Sequence, residues 1–302
     1  MVHDGTSKRL LISRRSFLAT SAAAVVTSTE FTQAGSQRPV ILGQGYLSFY
    51  AVTGAVVQEM LERLGHSVEV REGPHETIFP LLGDGAIDLM AAVWLPEGHA
   101  TYWAQYGRDA EEIAKFFDGA HFFWAVPEYV PRSEVSSIAD LEKPAVAERM
   151  NKVIQGIGAG ATITTLSQEA IGAYKLDGVG YSFHSGTPAE WIAAYEKAVA
   201  DQKWIVFPTW APQYLNRDGK LRPLEDPRGI LGGTNHASLV GPRKRLQLLP
   251  AKTRTALSRI HIGIDGVTEM DWVVNVKKKT PREAARSWIE ANEGEVRSWL
   301  GE

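Results

Sequence analysis

The chain has 302 residues, with 32 Lys and Arg against 35 Asp and Glu, a formal net charge of −3 and no cysteine. This near balance of charge argues against nucleic acid as a partner, because phosphate binding draws on an excess of basic side chains. The lack of cysteine excludes disulfides, thiol catalysis and an acylated cysteine that would tether the chain to a membrane.

The first residues carry an export pattern. Arg14 and Arg15 form a twin-arginine pair followed by Phe17 and Leu18, and a mildly apolar stretch over residues 19–29 precedes small residues near Ala34. That stretch is too short to span a bilayer, which needs about 20 apolar residues. We therefore predict a twin-arginine signal peptide over residues 1–34 and a soluble mature protein in the periplasm.

Apolar runs bounded by Gly or Pro then alternate with segments of helical period, which is typical of an α/β protein with mostly parallel strands. The predicted strands cover residues 40–43, 67–71, 87–93, 122–126, 153–157, 178–183 and 204–207. The predicted helices cover residues 51–64, 98–107, 162–174 and 188–199, followed by a chiefly helical remainder that ends in a long amphipathic helix over residues 281–300. Two crossovers divide the chain into lobe I, residues 38–130 and 208–302, and lobe II, residues 131–207. Two lobes joined by two crossovers form a hinged ligand trap.

Two of the predicted strands run into a tryptophan and then a proline, at Trp94-Leu95-Pro96 and at Trp210-Ala211-Pro212. Ligand clefts in α/β proteins open where strands end. The pair therefore favours one site with aromatic walls, although each ring alone could equally be a packing residue at the edge of a sheet.

A glycine-rich turn over residues 156–162 leads from a strand into a helix. Free backbone N–H groups and the positive end of the helix dipole converge in such a turn, which suits an anion. The same glycines could instead serve only a tight turn. A third interpretation is a dinucleotide fingerprint at Gly156, Gly158 and Ala161, with Asp177 as the ribose-binding acid. It makes the alternative function an exported nucleotide-dependent oxidoreductase.

Several short motifs occur along the chain in a definite order. They are Gly-Asp-Gly-x-Ile-Asp-Leu from residue 83, Trp94-Leu95-Pro96, Val-Pro-Glu-Tyr-Val from residue 126, Gly-Ala-Gly-Ala-Thr from residue 158, Trp210-Ala211-Pro212 and Met-Asp-Trp from residue 270. In this order they resemble the glycine betaine/choline/proline-betaine substrate-binding proteins of ABC importers, from about residue 40 to the C-terminus. The resemblance implies a two-lobed type II periplasmic-binding-protein fold, with mostly parallel sheets and two hinge crossovers, that captures a quaternary ammonium compound for uptake.

The resemblance also implies which residues bind the ligand. A quaternary ammonium has no N–H to donate, so aromatic faces suit it better than a carboxylate does. Trp94 and Trp210 are the first candidates for an aromatic cage, and Tyr214 and Tyr46 are the next. His99 and His184 are the two histidines that lie near these motifs, and His184, which ends a predicted strand of lobe II, is a further candidate ligand residue.

Contacts to an anionic end of the ligand are implied in the turn made by Gly158, Ala159, Gly160, Ala161 and Thr162. Where many relatives read Trp-x-Pro-His-Trp, this chain has Gln213 before Tyr214. Gln213 can donate a hydrogen bond but carries no charge. Choline, carnitine and trimethylamine N-oxide therefore stand beside glycine betaine as candidate ligands.

No catalytic motif is present in the sequence, and we expect no enzyme activity, no metal and no cofactor. The expected partners are the small quaternary amine and, in the closed form, an ABC permease of the inner membrane. We expect the protein to be a monomer.

Overall fold

The computed structural model of the protein describes residues 38–302. The predicted signal peptide, with its twin-arginine pair, lies outside these residues. Within them, no helix combines the length and the apolar character needed to cross a membrane.

The described residues form strands and helices in alternation. The strands are β1 (Val40–Gly45), β2 (Val68–Gly73), β3 (Leu89–Leu95), β4 (Ala110–Pro127), β5 (Val153–Gln155), β6 (Ser182–His184), β7 (Phe207–Ala211), β8 (Leu221–Pro223) and β9 (Asn235–Pro242). The helices are α1 (Ser48–Arg63), α2 (His75–Gly83), α3 (Ala100–Tyr106), α4 (Pro144–Arg149), α5 (Thr162–Ala173), α6 (Pro188–Ala200), α7 (Arg243–Leu246), α8 (Ala251–Leu257), α9 (Ile264–Lys277), α10 (Pro281–Ala291) and α11 (Glu293–Leu300).

The larger sheet is mixed. Its order is β2-β1-β3-β9-β4-β7, with β8 also paired to β4. Strand β1 runs parallel to β2 and β3, whereas β9 is antiparallel to both β3 and β4, and β7 and β8 are antiparallel to β4. The α/β class is confirmed, but the prediction of mostly parallel strands is wrong for this sheet. One reason is β9, a strand in the segment predicted to be chiefly helical, which inserts between β3 and β4. The other is β4, which also pairs antiparallel with β7 and β8.

The centre of the sheet is fully buried. Every residue of β3 is buried, as expected for a continuous apolar run between two neighbouring strands. Helix α1 buries most of its length because it packs on β1 and β3 with one side and on α9 and α10 with the other. The ring of Trp94 therefore stands at the end of a rigid strand, opposite the start of a rigid helix.

The C-terminal region differs from its prediction in one respect. The single amphipathic helix expected over residues 281–300 is two helices, α10 and α11, with Asn292 between them. Helix α10 begins with a capping box, in which Thr280 and Glu283 satisfy each other's backbone N–H groups.

Residues 131–207 carry a separate small sheet. Strands β5 and β6 pair in parallel, and helices α4, α5 and α6 accompany them. The chain enters this segment after β4 and leaves it at β7. The lobe boundaries at residues 131 and 207 stay a prediction. A dinucleotide-binding fold needs a broad parallel sheet behind its glycine turn, whereas the Gly156 turn follows a strand of three residues in a two-stranded sheet.

Candidate functional site

Aromatic rings enclose a small cavity at the ends of β3 and β7. The remaining walls come from the start of α1, the start of α5 and the loop before α3. The lining residues are Leu47, Phe49, Tyr50, His75, Trp94, Gly98, His99, Phe122, Ile157, Ala161, Thr162, Ile163 and Trp210. The space inside is about 20 Å³, which is room for one or two water molecules. A larger molecule enters only if these walls separate.

The rings contact one another in a continuous set. Phe49 lies between the two tryptophans, with its ring centroid 5.7 Å from that of Trp94 and 5.8 Å from that of Trp210. Phe122 is the cross-strand partner of Trp210 on β4, and its ring stacks on Trp94 at 5.2 Å. The two Trp-x-Pro motifs therefore meet in one cavity, as the sequence predicts.

Both tryptophans keep a polar atom without a partner. The indole Nε1 atoms of Trp94 and Trp210 are buried and find no acceptor within residues 38–302. A buried donor without a partner costs about 1–3 kcal/mol. Each indole N–H is therefore free to donate to a ligand that carries an oxygen atom.

A hydrogen-bonded chain of side chains forms one wall of the cavity. The backbone N–H of Trp94 donates to His99 Nδ1 at 2.9 Å, so His99 carries its proton on Nε2. That Nε2–H donates to the Tyr50 hydroxyl at 3.2 Å, and the hydroxyl in turn donates to His75 Nε2 at 3.3 Å. The backbone N–H of Trp94 therefore fixes the donor and the acceptor in each of these hydrogen bonds.

The histidines of this wall are neutral at pH 7. Burial lowers the pKa of His75 to about 4 and holds the pKa of His99 well below its ordinary value, with His75 adding to the shift of His99. Among the described residues that line the cavity, none is Asp, Glu, Lys or Arg. The cavity therefore offers aromatic faces and hydrogen bonds but no formal charge.

Two hydrogen bonds close the cavity from the side of the small sheet. The Thr162 hydroxyl donates to the carbonyl of Gly98, and the Tyr102 hydroxyl donates to the carbonyl of Gly160 at 2.9 Å. Thr162 and Gly160 belong to the turn at the start of α5, whereas their partners Gly98 and Tyr102 belong to the segment that follows Trp94. The same segment is held by Asn235, whose Oδ1 accepts from the backbone N–H of Gly98 at 2.8 Å.

A second concavity, which we call the outer pocket, adjoins the cavity at Trp210. Its volume is about 240 Å³. It shares Leu47, Phe49 and Trp210 with the cavity. Its further lining residues are Tyr46, Ser48, Pro188, Ala189, Trp191, Ile192, Gln213, Tyr214, Asp271 and Asn275.

The structure separates the predicted ligand-binding residues into groups. Trp94, Trp210, Ala161 and Thr162 line the cavity, whereas Tyr46, Gln213 and Tyr214 line the outer pocket with Trp210. Gly158, Ala159 and Gly160 form the turn before α5 without lining either space. His184 is exposed at the end of β6, outside both. The ligand contacts of all these residues stay predictions.

Four residues that contribute rings to the lining of the cavity were not identified in the sequence, namely Phe49, Tyr50, His75 and Phe122. Phe49 and Tyr50 precede the helix predicted over residues 51–64, but in the structure they lie in the first turn of α1. His75 begins helix α2, which the sequence did not predict. His99, which also lines the cavity, was noted in the sequence because it follows Trp94 by five residues.

Gly98 leaves no room for a side chain. A Cβ there would lie 2.7 Å from Trp94 Cβ, an atom fixed to the β3 backbone. We expect Gly98→Ala to displace Trp94 and to lower the free energy of unfolding by about 1–3 kcal/mol, measured by urea denaturation. Gly172→Ala in α5, where a Cβ meets nothing within 4 Å, is the control and should stabilise the protein by about 0.5–1 kcal/mol. An unchanged stability of Gly98→Ala would contradict the close packing.

The chain is similar to known proteins over most of its described length. A family model described as the substrate binding domain of ABC-type glycine betaine transport system matches residues 38–291. The glycine betaine/carnitine transport binding protein GbuC of Listeria monocytogenes serotype 1/2a (strain 10403S) is 29% identical over 157 residues. That match covers 52% of this chain and 52% of the relative, so the chain spans about half the length of the curated relative it matches.

Two solved structures share the fold. Lactococcal OpuAC, in its closed-liganded conformation complexed with glycine betaine, matches with a TM-score of 0.77 at 23% identity, covering 87% of this chain and 100% of that chain. An ABC-transporter choline binding protein in complex with choline matches with a TM-score of 0.76 at 19% identity, covering 87% and 91%. These matches confirm the fold of type II periplasmic binding proteins and give no support to the oxidoreductase alternative.

Proposed function

The chain belongs to the family of substrate-binding domains of ABC-type glycine betaine transport systems, and we propose that it captures a quaternary ammonium compound in the cavity between Trp94 and Trp210. Glycine betaine and choline are the ligands that we propose first. The proposed role is delivery of this compound for uptake and not catalysis.

The observation that carries the proposal is an aromatic cavity without formal charge. A primary or secondary amine has N–H groups that need acceptors, and a site for it would offer carboxylates or carbonyls. A quaternary nitrogen has none, so rings that supply a negative face and apolar contact suit it. Neutral His75 and His99 complete the match because protonated histidines would repel the cation.

The far end of the ligand needs hydrogen-bond donors. Thr162 and Ile163 line the cavity as the first residues of α5, where backbone N–H groups have no acceptor within the helix. The N-terminal dipole of the helix favours a negatively charged group there. With the unpartnered Nε1–H groups of Trp94 and Trp210, these donors support a ligand that carries a carboxylate or hydroxyl oxygen at one end.

Capture requires the walls to separate and close again, because the cavity is small. Residues 131–207 supply Thr162 and Gly160, and the opposite side supplies Gly98 and Tyr102. We propose that the two segments are lobes that hinge at the crossovers after β4 and before β7. A ligand that contacts both lobes favours the closed form, which an inner-membrane ABC permease would recognise. The proposed compartment is the periplasm, and the proposed state is a monomer.

The test is a tryptophan fluorescence titration with choline, glycine betaine, carnitine and trimethylamine N-oxide. The matched control is 3,3-dimethylbutan-1-ol, which has the shape of choline but carbon in place of nitrogen. We expect a saturable change with choline or glycine betaine, and binding of the alcohol at least tenfold weaker, because each desolvated ring contact to a cation contributes about 1–2 kcal/mol.

Two outcomes would contradict the proposal. Equal affinity for choline and the neutral alcohol would mean that the cavity selects shape and not charge. No response to any quaternary compound from the folded protein would place the ligand in another chemical class. Proline, which lacks a quaternary nitrogen, controls for weak effects of solute on fluorescence.

A further inference from the structure

The outer pocket combines aromatic rings with one carboxylate. Tyr46, Trp191, Trp210 and Tyr214 contribute rings to its lining, and Asp271 from α9 contributes the carboxylate. Trp191 and Trp210 stack with centroids 4.8 Å apart. No lysine, arginine or histidine is among the described residues that line the pocket, so Asp271 alone sets its formal charge.

The carboxylate of Asp271 is held by neutral donors. Its Oδ2 accepts from the backbone N–H of Tyr214 at 2.7 Å, and its Oδ1 accepts from Asn275 Nδ2 at 3.0 Å, with the Ser48 hydroxyl as a further donor. Within residues 38–302 it forms no salt bridge, although the residue is only 1% exposed. A buried charge without a counterion is costly, and a cation in the pocket would offset that cost.

The occupied lone pairs define the kind of cation. Hydrogen bonds from Tyr214, Asn275 and Ser48 occupy three of the roughly four lone-pair sites of the carboxylate. A primary ammonium or a guanidinium, which needs several acceptors, would find only about one there. A quaternary ammonium needs no acceptor, and the charge of Asp271 and the surrounding ring faces both attract it. Burial raises the pKa of Asp271 to about 6, so the group remains mostly ionised at pH 7.

We infer that the outer pocket is a second binding site, distinct from the cavity, for an organic cation of the quaternary ammonium class. Leu47, Phe49 and Trp210 form the wall that the two sites share, since they line both. The outer site is larger than the cavity and needs no separation of the walls, so it can take up a cation before the cavity opens. The inference rests on the proposed function in one respect, namely that quaternary ammonium compounds are the ligands of this protein.

The test is isothermal titration calorimetry of the purified protein with tetramethylammonium chloride at constant ionic strength. We expect two binding events. Asp271→Asn should weaken one of them at least tenfold, because it removes the charge and keeps the shape of the side chain. Trp94→Leu should weaken the other, because Trp94 lines only the cavity.

A second variant keeps the test valid if Asp271→Asn fails to fold. Ala189 is exposed on α6 and lines the outer pocket, whereas Ala193 is exposed on the same helix and does not. Ala189→Lys should weaken the same event as Asp271→Asn by repelling the cation, and Ala193→Lys should leave both events unchanged.

The outcomes separate this inference from the proposed function. A single event that responds to Trp94→Leu, and not to Asp271→Asn or Ala189→Lys, would overturn the second site and leave the proposed function standing. A single event that responds only to Asp271→Asn and Ala189→Lys would support the outer site and contradict the cage. The absence of both events would overturn both.

Discussion

Replacing Trp94 by leucine is expected to weaken the binding of choline or glycine betaine by roughly 30-fold or more. Leucine retains apolar contact but has no negative ring face, and the loss of one desolvated cation–π contact is worth about 2 kcal/mol. Because Trp94 Nε1 has no acceptor within the described residues, the substitution breaks no side-chain hydrogen bond. The measurement is calorimetry or intrinsic fluorescence from the remaining tryptophans.

Two further variants separate the ring from the volume. Trp94→Phe keeps a smaller aromatic face, so its affinity should lie between those of the wild type and Trp94→Leu. Trp288→Leu is the matched control, because Trp288 stacks on Trp299 in the C-terminal helices and lines neither the cavity nor the outer pocket. If Trp94→Leu and Trp94→Phe bound equally well, apolar contact alone would explain the role of the ring. Thermal unfolding of each variant shows whether a loss of affinity comes from a loss of fold.

The elements that the sequence predicts well are those whose ends are marked by nearby glycine or proline residues. Strand β1 begins and ends near glycine or proline, helix α1 stops before Gly65, and α5 and α6 follow a glycine-rich turn and a Thr-Pro pair. The meeting of Trp94 and Trp210 in one cavity was also predictable, because each ring comes at the end of a predicted strand, where ligand clefts open. In the structure β3 and β7 approach this point from opposite directions.

The missed elements depend on pairing between distant residues. Nothing near residues 235–242 distinguishes β9 from a short apolar helix segment, and its place between β3 and β4 is set by partners more than 100 residues away. The ring of Phe122 reaches Trp94 only because β4 starts at Ala110 and carries the chain across the sheet. Sequence periodicity contains neither fact.

The candidate site was predicted in part for the same reason. Gln213 and Tyr214 are close to Trp210 in sequence, yet they line the outer pocket and not the cavity, and so does Tyr46. Conversely, Tyr50, His75 and His99 start three different helices or loops and meet only in three dimensions. A pattern of residue types cannot reveal a hydrogen-bonded chain whose members come from separate elements.

Two buried groups near the candidate sites respond to acid in opposite directions. Burial lowers the pKa of His75 from 6.5 to about 4, so between these values the unfolded state is protonated and the folded state is not. Stability is therefore lost as the pH falls through this range, by about 3 kcal/mol in total. His99, whose pKa is also lowered, adds a loss of the same sign.

Asp271 has the opposite effect. Burial raises its pKa from 3.8 to about 6, so between these values the folded state binds a proton and the unfolded state does not. Stability is therefore gained as the pH falls from about 6 to 3.8, again by about 3 kcal/mol. In the wild type this gain offsets much of the loss that comes from the histidines.

Asp271→Asn should remove the offset. We expect its free energy of unfolding to fall between pH 7 and pH 4 by about 3 kcal/mol more than that of the wild type, measured by urea denaturation at each pH. His75→Gln should show the reverse, a smaller loss than the wild type over the same range, because glutamine does not titrate. His184→Gln, at an exposed position on β6, provides the matched control. Parallel pH profiles for the wild type and Asp271→Asn would mean that the pKa of Asp271 is not raised and that water solvates the carboxylate in solution. The outer pocket would then hold no buried charge whose cost a bound cation offsets.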